Sequence, residues 1–174
     1  MKKIVSLLMA CILLLGLCAC SSKPSLVSSN VPATATPTAE SEKVFNLGDS
    51  VELDGVVVIF KDVSENTGSK YNKPTDGNVF LLCEFEITNN SNEELAVSSM
   101  LSFEAYCDEY ACDISISALM EKGNKEQLDG SVAPGKKMKG VVGYEVPEDW
   151  KELEVRYTID ILSSSKIIFV ATNS

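Results

Sequence analysis

The sequence predicts an all-β domain, an antiparallel sandwich of two sheets, that follows an export signal and a polar linker. Three observations support this prediction. Short segments rich in β-branched and aromatic residues recur roughly every 8–12 residues from residue 44 onward. Turn sequences separate these segments, and no amphipathic helix longer than one or two turns is predicted. A chain of 174 residues with this pattern fits one sandwich domain.

The first two predicted strands form a hairpin. Asp54-Gly55 separates residues 51–53 from residues 56–63, and Asp-Gly is a favoured two-residue hairpin loop. The next predicted strand, residues 79–88, alternates between apolar and mostly polar positions. The side chains expected to face the core are Leu81, Cys83, Phe85 and Ile87. Those expected to face mostly solvent are Leu82, Glu84 and Glu86.

The remaining strands are predicted from the same signals. They cover residues 95–98, 101–107, 110–116, 139–146, 152–159 and 166–170. Turn sequences separate them, and the last turn, residues 147–150, is interpreted as a corner filled by Trp150. Two connections, residues 64–78 and 117–129, are longer than hairpins require. We predict that these two loops form a partner surface, because loops carry binding residues more often than strands do.

The N-terminus has the pattern of an export signal. Lys2 and Lys3 precede an apolar run over residues 4–17, which is too short to span a bilayer comfortably. The run ends in Leu17-Cys18-Ala19-Cys20, and this sequence resembles the lipobox of bacterial lipoproteins. The resemblance implies cleavage before Cys20 and lipidation of its thiol. The alternatives are modification of Cys18, an ordinary signal peptide without lipid, and an uncleaved anchor.

These features divide the chain into three predicted segments: a signal peptide (1–19), a lipid-anchored linker (20–43) and the folded domain (44–174). The linker is rich in Ser, Thr, Ala and Pro, so it has little apolar surface to offset the entropy of ordering. Its prolines favour extended conformations, and residues 21–43 could reach up to about 70 Å. We therefore expect a disordered linker that holds the domain away from a membrane.

Several short sequences of the folded segment resemble a known family when they are taken together. They are Leu47-Gly48-Asp49-Ser50-Val51, Tyr71-Asn72-Lys73-Pro74, Gly77-Asn78-Val79-Phe80, Ile87-Thr88-Asn89-Asn90-Ser91, Ala133-Pro134-Gly135, Gly140-Val141-Val142 and Tyr144-Glu145-Val146-Pro147. In this order they look like the domain of unknown function 4352. The resemblance implies an immunoglobulin-like β-sandwich, common in secreted and lipid-anchored proteins of Gram-positive bacteria, and it implies no catalytic residues. Cys107 and Cys112 depart from the family pattern.

Three cysteines belong to the predicted domain, so they cannot all pair within it. Cys107 and Cys112 flank four residues, and a four-residue hairpin loop would place them opposite each other at a separation that a disulfide accepts. We predict this disulfide, with Cys83 left as a buried free thiol. The alternative is a disulfide between Cys83 and either Cys107 or Cys112, which requires their strands to be neighbours.

Composition excludes several classes of function. The chain contains no histidine, which excludes Ser-His-Asp triads, Cys-His dyads and His-containing zinc sites. Its net charge of −10 makes nucleic-acid binding unfavourable, since that mode requires a basic face. We predict no cofactor and no metal site, because no metal-ligand or phosphate-binding motif occurs.

The charged clusters have a functional and a structural interpretation. Acidic pairs such as Glu84 and Glu86 could serve glycoside hydrolysis or bind Ca²⁺, but we interpret them as solvated strand faces. Lys136, Lys137 and Lys139 could contact anionic polymer or lipid headgroups. We interpret these lysines as charges that protect an edge strand from pairing with other chains.

The sequence therefore predicts a lipoprotein anchored through Cys20 on the outer face of a Gram-positive cytoplasmic membrane. Its sandwich would bind or scaffold a protein or an envelope polymer, and we expect it not to be an enzyme. Two alternatives remain: an envelope-polysaccharide hydrolase with paired carboxylates, and an accessory subunit of a transporter or wall-assembly complex.

Overall fold

A computed structural model describes residues 23–28, 43–160 and 165–173. The predicted signal peptide, Cys20 and most of the predicted linker lie outside these residues. Within the described ranges, no helix is long and apolar enough to cross a membrane.

The described residues form twelve strands and one short helix. The strands are β1 (Ser25–Ser28), β2 (Val44–Asn46), β3 (Ser50–Leu53), β4 (Val56–Asn66), β5 (Asn78–Asn89), β6 (Leu95–Ser98), β7 (Phe103–Cys107), β8 (Tyr110–Cys112), β9 (Asp129–Val132), β10 (Lys137–Pro147), β11 (Glu152–Thr158) and β12 (Lys166–Thr172). The helix, α1, covers Ile116–Met120.

Two five-stranded sheets form the sandwich. Sheet one has the order β1-β3-β4-β5-β10, sheet two has the order β2-β12-β11-β7-β8, and β6 pairs with β9 in a small ribbon. Each of these strand pairs is antiparallel except β2 with β12, which run parallel. The predicted all-β class and the antiparallel β-sandwich are thus confirmed.

Aromatic side chains fill the space between the sheets. Phe60 stacks on Phe85 within sheet one, with ring centroids 4.4 Å apart. Phe169 and Phe103 of sheet two meet Phe85 across the core at 6.1 Å and 5.1 Å. The positions of β5 predicted to face inward are all buried, as the alternation requires: Leu81, Cys83, Phe85 and Ile87.

The outer face of sheet one differs from the prediction, because Leu82 and Glu84 are buried rather than exposed to solvent. Residues 113–128 leave sheet two, cross the edge strand β10 and place α1 against β10 and β5. Two glycines allow this close approach. A Cβ at Gly143 would lie 2.9 Å from the Ala118 Cβ, and one at Gly140 would lie 2.8 Å from a backbone oxygen of residue 126.

Most predicted strands are confirmed, with shifted ends. The predicted strand over residues 110–116 is wrong beyond Cys112, since the chain turns there toward the helix. The predicted loop 64–78 is shorter, because β4 continues to Asn66. The predicted loop 117–129 begins inside α1 and ends where β9 starts.

The predicted linker is not structureless throughout. Ser25–Ser28 forms β1, which pairs antiparallel with β3 at the edge of sheet one. The prediction of disorder over residues 20–43 is therefore wrong for this segment. Sequence alone did not indicate the pairing because β1 has only four residues and buries none of them.

Candidate functional site

The two loops predicted to form a partner surface lie side by side. The Asn72 side-chain amide donates one hydrogen bond to the carbonyl of Ser117 (2.8 Å) and another to Oε1 of Glu121 (2.7 Å). The Asn66 amide lies 3.5 Å from the carbonyl oxygen of Glu121. These contacts join the loop after β4 to the helix α1 and its C-terminal end.

The loop after β4 has a defined conformation at its start. The Asn66 side-chain oxygen accepts from the backbone N–H of Gly68 (2.7 Å), and the N–H of Ser69 donates to the carbonyl of Asn72 (2.8 Å). Gly68 has φ +78°, and a Cβ there would lie 2.2 Å from the Asn72 carbonyl oxygen. Only glycine fits this turn, so Asn72 is held where it can reach the helix.

The far end of the same loop is fixed by β10. Oε1 of Glu145 accepts from the backbone N–H of Thr75 (2.8 Å) and from the Asn78 side chain (3.1 Å). The hydrogen bonds from Thr75 and Asn78 hold the pKa of Glu145 below its usual value. This carboxylate therefore accepts hydrogen bonds as an anion.

The helix is short but anchored at both its start and its inner face. The Ser115 hydroxyl accepts from the N–H of Ala118 (3.1 Å), and the Ser115 N–H donates to the Gly143 carbonyl (2.8 Å). Ala118 and Leu119 are buried against the outer face of sheet one. The opposite face of the helix points to solvent.

Large apolar side chains are exposed on both sides of the Asn72 hydrogen bonds. Tyr71 is 89% exposed on the loop, and Met120 is 71% exposed on the helix together with Ile116. Ile116 and Met120 line a shallow depression of about 320 Å³ that also includes Lys122. Exposed apolar groups held on a fixed backbone are typical of binding surfaces.

Three lysines lie on this part of the molecule. The Nζ of Lys70 lies 5.1 Å from the centroid of the Tyr71 ring, in cation–π geometry. Within the part of the chain that the structure describes, Lys70, Lys73 and Lys122 form no ion pair with a carboxylate. We define the joined-loop surface by the three lysines and three apolar side chains: Lys70, Tyr71, Lys73, Ile116, Met120 and Lys122.

The predicted acidic and basic clusters pair with each other elsewhere. Glu84 accepts from Lys139 at 2.7 Å and from Lys125 at 2.9 Å, and these hydrogen bonds hold the pKa of Glu84 below its usual value. Glu86 pairs with Lys137 at 3.1 Å. The interpretation of Glu84 as a solvated carboxylate is wrong, because residues 113–128 cover it. Lys137 and Lys139 do lie on an edge strand, β10, as predicted.

The cysteines differ from the predicted geometry. The β7–β8 connection is a two-residue turn, Asp108-Glu109, with both residues at positive φ. Cys107 therefore lies opposite Tyr110, and Cys112 lies opposite Ala105, so the predicted four-residue loop is wrong. The structure has no bond between the sulfur atoms of Cys107 and Cys112.

The two thiols are nevertheless near each other, as diagonal positions on the same face of the hairpin. Burial raises the pKa of Cys107 to about 12, and the neighbouring Cys112 adds to this effect. Cys83 is buried, as expected, and it lies in the opposite sheet. The disulfide between Cys107 and Cys112 stays a prediction, which a count of free thiols in the unreduced protein would test.

Two larger depressions have mixed apolar and polar linings, and each includes several acidic groups. One of about 660 Å³ lies at the opposite end of the sandwich, beside the Asp54-Gly55 turn, and includes Glu93, Glu94 and Asp160. Another of about 560 Å³ lies between β8 and β10 and includes Cys112 and Asp113. No group of three or more acidic or cysteine side chains among the described residues is arranged to hold a metal ion.

Sequence reasoning identified the two loops but missed the helix and the side chains that join them. A five-residue helix is too short to show amphipathic periodicity. The signal that could have indicated it is the pair Gly140 and Gly143 inside a predicted strand, since a strand glycine often marks close approach of another backbone. Asn66 and Asn72 carried no comparable signal.

Comparisons with known proteins identify one matching family and solved structures with a similar fold. A family model described as "Domain of unknown function (DUF4352)" matches residues 45–167. No curated protein matches the sequence.

Two solved structures from Bacillus subtilis share the fold. The first, ycdA, is described as a candidate lipoprotein; it is 23% identical, with a TM-score of 0.58 over 68% of this chain and 37% of its own. The chain thus spans little more than a third of that protein. The second, yjhA, is 14% identical, with a TM-score of 0.56 over 71% of this chain and 96% of its own. At these identities the likeness concerns the fold alone.

Proposed function

The chain belongs to the family of domain of unknown function 4352, and on that premise we propose that it is a lipid-anchored module that binds a polypeptide through its joined-loop surface. The anchor would be Cys20, on the outer face of the cytoplasmic membrane. The sequence Leu17-Cys18-Ala19-Cys20 after a short apolar run supports this anchor. The description of ycdA as a candidate lipoprotein agrees with it.

The observation that carries the proposal is the joining of two exposed apolar groups by a rigid hydrogen-bonded frame. Tyr71 and the pair Ile116 and Met120 flank the Asn72 hydrogen bonds, so neither side must be ordered when a partner binds. Pre-ordered contact groups reduce the entropy cost of association. Tyrosine and methionine are also enriched where proteins meet proteins.

Charge indicates the chemistry of the partner. The whole chain carries a net charge of −10, yet Lys70, Lys73 and Lys122 surround the apolar groups without an ion pair among the described residues. The Glu121 carboxylate lies in the same region and accepts from Asn72. Three lysines outnumber this carboxylate, so the local charge is positive and favours an acidic partner. The apolar side chains favour a polypeptide over a polyphosphate or polysaccharide, because those polymers offer little apolar surface. We therefore assign the surface to an acidic segment with apolar side chains.

The proposal includes no catalytic step. A hydrolase with paired carboxylates requires one carboxyl group with a raised pKa to act as general acid. Glu84 and Glu145 both have lowered pKa values, and both are engaged in hydrogen bonds that fix loops. These two carboxylates support a structural role.

A photocrosslinking experiment on intact cells tests the proposal. A photoreactive amino acid is placed at Tyr71 or Met120 in the full lipidated chain, and at Leu101 as a control. Leu101 is 68% exposed but lines the acidic depression at the other end. We expect protein adducts from Tyr71 and Met120 that are absent from Leu101.

Charge reversal sharpens the same experiment. The triple variant Lys70→Glu, Lys73→Glu and Lys122→Glu should reduce the adducts at least about fivefold, because it repels an acidic partner. The matched control Lys43→Glu, Lys61→Glu and Lys151→Glu makes the same change of charge outside the joined-loop surface and should leave them unchanged. Adducts to lipid or polymer alone, equal adducts from Leu101, or insensitivity to the triple reversal would each refute the proposal.

A further inference from the structure

The outer edge of β3 holds a segment of the predicted linker, and we propose that this edge is an acceptor site for the chain's own stalk. Docking of the stalk there sets the height and the orientation of the domain above the membrane. The inference goes beyond the proposed binding role and takes from it only the anchor at Cys20.

The pairing is specific in register. Ser25 lies opposite Glu52, Leu26 opposite Val51 and Ser28 opposite Ser50, with an irregularity between Leu26 and Ser28. The Ser25 hydroxyl donates to Oε2 of Glu52 at 3.2 Å. β1 thereby covers the backbone groups that β3 would otherwise present as an open edge.

The docked stalk is held by backbone pairing and very little by burial. All four residues of β1 are exposed, with Leu26 at 41% and Val27 at 60%. Ordering four backbone residues costs entropy that a few strand hydrogen bonds only offset. The contact is therefore readily released, in contrast to the strands of the core.

The direction of β1 orients the domain. β3 runs toward the Asp54-Gly55 turn, and β1 is antiparallel to it, so Ser25 lies toward the end that carries this turn. β4 runs from that turn to Asn66, where the joined loops begin. The chain that leads back to Cys20 thus leaves from the end opposite the joined-loop surface. Docking turns this surface away from the membrane, toward an external partner.

Docking also changes how far the domain can move from its anchor. Ser25 is five positions after Cys20, and a fully extended chain spans at most about 18 Å over five positions. When β1 is released, the anchored chain extends to Val44, and the same rule allows about 80 Å. When β1 is paired with β3, the domain is held close to the membrane in one orientation. When β1 is released, the domain moves on a long tether.

The test uses the full lipidated protein in a supported bilayer, with the height of the domain measured by neutron reflectometry. Leu26→Pro with Val27→Pro removes backbone donors from β1 and should release it. Ser25→Cys with Glu52→Cys, a pair opposite each other on the solvent side, should lock it when oxidised. Ala33→Pro with Thr34→Pro is the matched control outside β1.

We expect the locked variant to lie closest to the bilayer and the released variant two- to threefold farther from it. The wild type and the control should share one height between these two. Hydrogen exchange on the same proteins tests the docking without reference to the anchor. The β3 amides that bond to β1 should exchange about twofold faster in the released variant than in the wild type and the control, whereas the β3 amides that bond to β4 should not change. Unchanged exchange would refute the docking, and changed exchange at constant height would refute its role in height.

These outcomes are separate from those of the proposed binding function. Loss of adducts at Tyr71 with normal heights would remove the partner proposal and leave the stalk proposal intact. Normal adducts at Tyr71 together with a wild-type stalk that is not docked would refute the stalk proposal and leave the partner proposal intact. Capture of a strand from another protein at β3, displacing β1 in the resting state, would also overturn the assignment to the chain's own stalk.

Discussion

The two edges of sheet one are covered by different means. At β10, residues 113–128 cross the edge and bury Ala118 and Leu119 on the outer face, where Lys125 also pairs with Glu84. At β3, the covering strand β1 buries no side chain. Each segment covers an open edge of the sheet, but only the segment at β10 also buries apolar side chains.

This difference separates a fixed part of the molecule from a releasable one. The segment that covers β10 carries half of the joined-loop surface, so that surface is built on packed side chains. The segment that covers β3 connects the domain to the predicted membrane anchor. Its pairing can be reversed without disturbing the core. Substitutions at the two edges should therefore differ strongly in their effect on stability.

The largest effect is expected where the helix meets β10. Gly143→Ala places a Cβ 2.9 Å from the Ala118 Cβ and should lower the free energy of unfolding by about 2 kcal/mol, measured by denaturant titration. In an Ala118→Gly background the same substitution should cost clearly less, because the facing methyl group is gone. Equal losses of unfolding free energy in both backgrounds would mean that the Ala118 methyl group does not clash with the Cβ introduced at position 143.

An intermediate effect is expected from the ion pairs beneath the covering segment. Glu84→Gln should lower the free energy of unfolding by about 1 kcal/mol at neutral pH, since Glu84 is nearly buried between Lys125 and Lys139. Glu86→Gln is the control, because Lys137 and Glu86 are more exposed and should contribute less than about 0.5 kcal/mol.

The pH dependence of this effect has a definite sign. The pKa of Glu84 is lowered in the folded state from an ordinary value of 4.5, so its contribution is fully present above pH 4.5. It is lost as the pH falls through the folded-state value. Unfolding titrations should show the difference between wild type and Glu84→Gln shrinking below pH 4.5, and a difference that grows there would contradict the pairing.

The smallest effect is expected at the other edge. Leu26→Pro with Val27→Pro should change the free energy of unfolding by less than about 0.5 kcal/mol, because β1 is exposed along its whole length. The same denaturant titration measures it, against Ala33→Pro with Thr34→Pro. A loss comparable to that of Gly143→Ala would erase the distinction between the two edges.

The parts of the fold that could be predicted are those in which local signals decide. Alternation along β5 correctly predicted its core face, and Asp54-Gly55 correctly predicted a hairpin. Alternation states which side chains share a face, but it does not state what covers that face. Leu82 and Glu84 were therefore assigned to solvent, although a distant segment covers them. The Asp108-Glu109 turn contains no glycine, so the sequence did not predict that a two-residue loop with positive φ would form there.

The candidate site was predictable only in outline. Loop length indicated where a partner surface could lie, because long connections are uncommon unless they have a role. The joining of the loops depends on Asn66 and Asn72, whose partners are 45 or more residues away in the chain. Such hydrogen bonds follow from the folded geometry, and no local sequence pattern predicts them.

The hydrogen-bonded frame of the joined loops has a consequence for variation. Asn66, Gly68, Asn72 and the buried helix residues hold the backbone, whereas the side chains of the joined-loop surface project into solvent. Specificity can therefore diverge at the exposed positions while the scaffold stays constant, much as antibody loops diversify on a shared framework. The same division makes the domain a scaffold for selecting new binders, with Tyr71 and Met120 as the first positions to randomise.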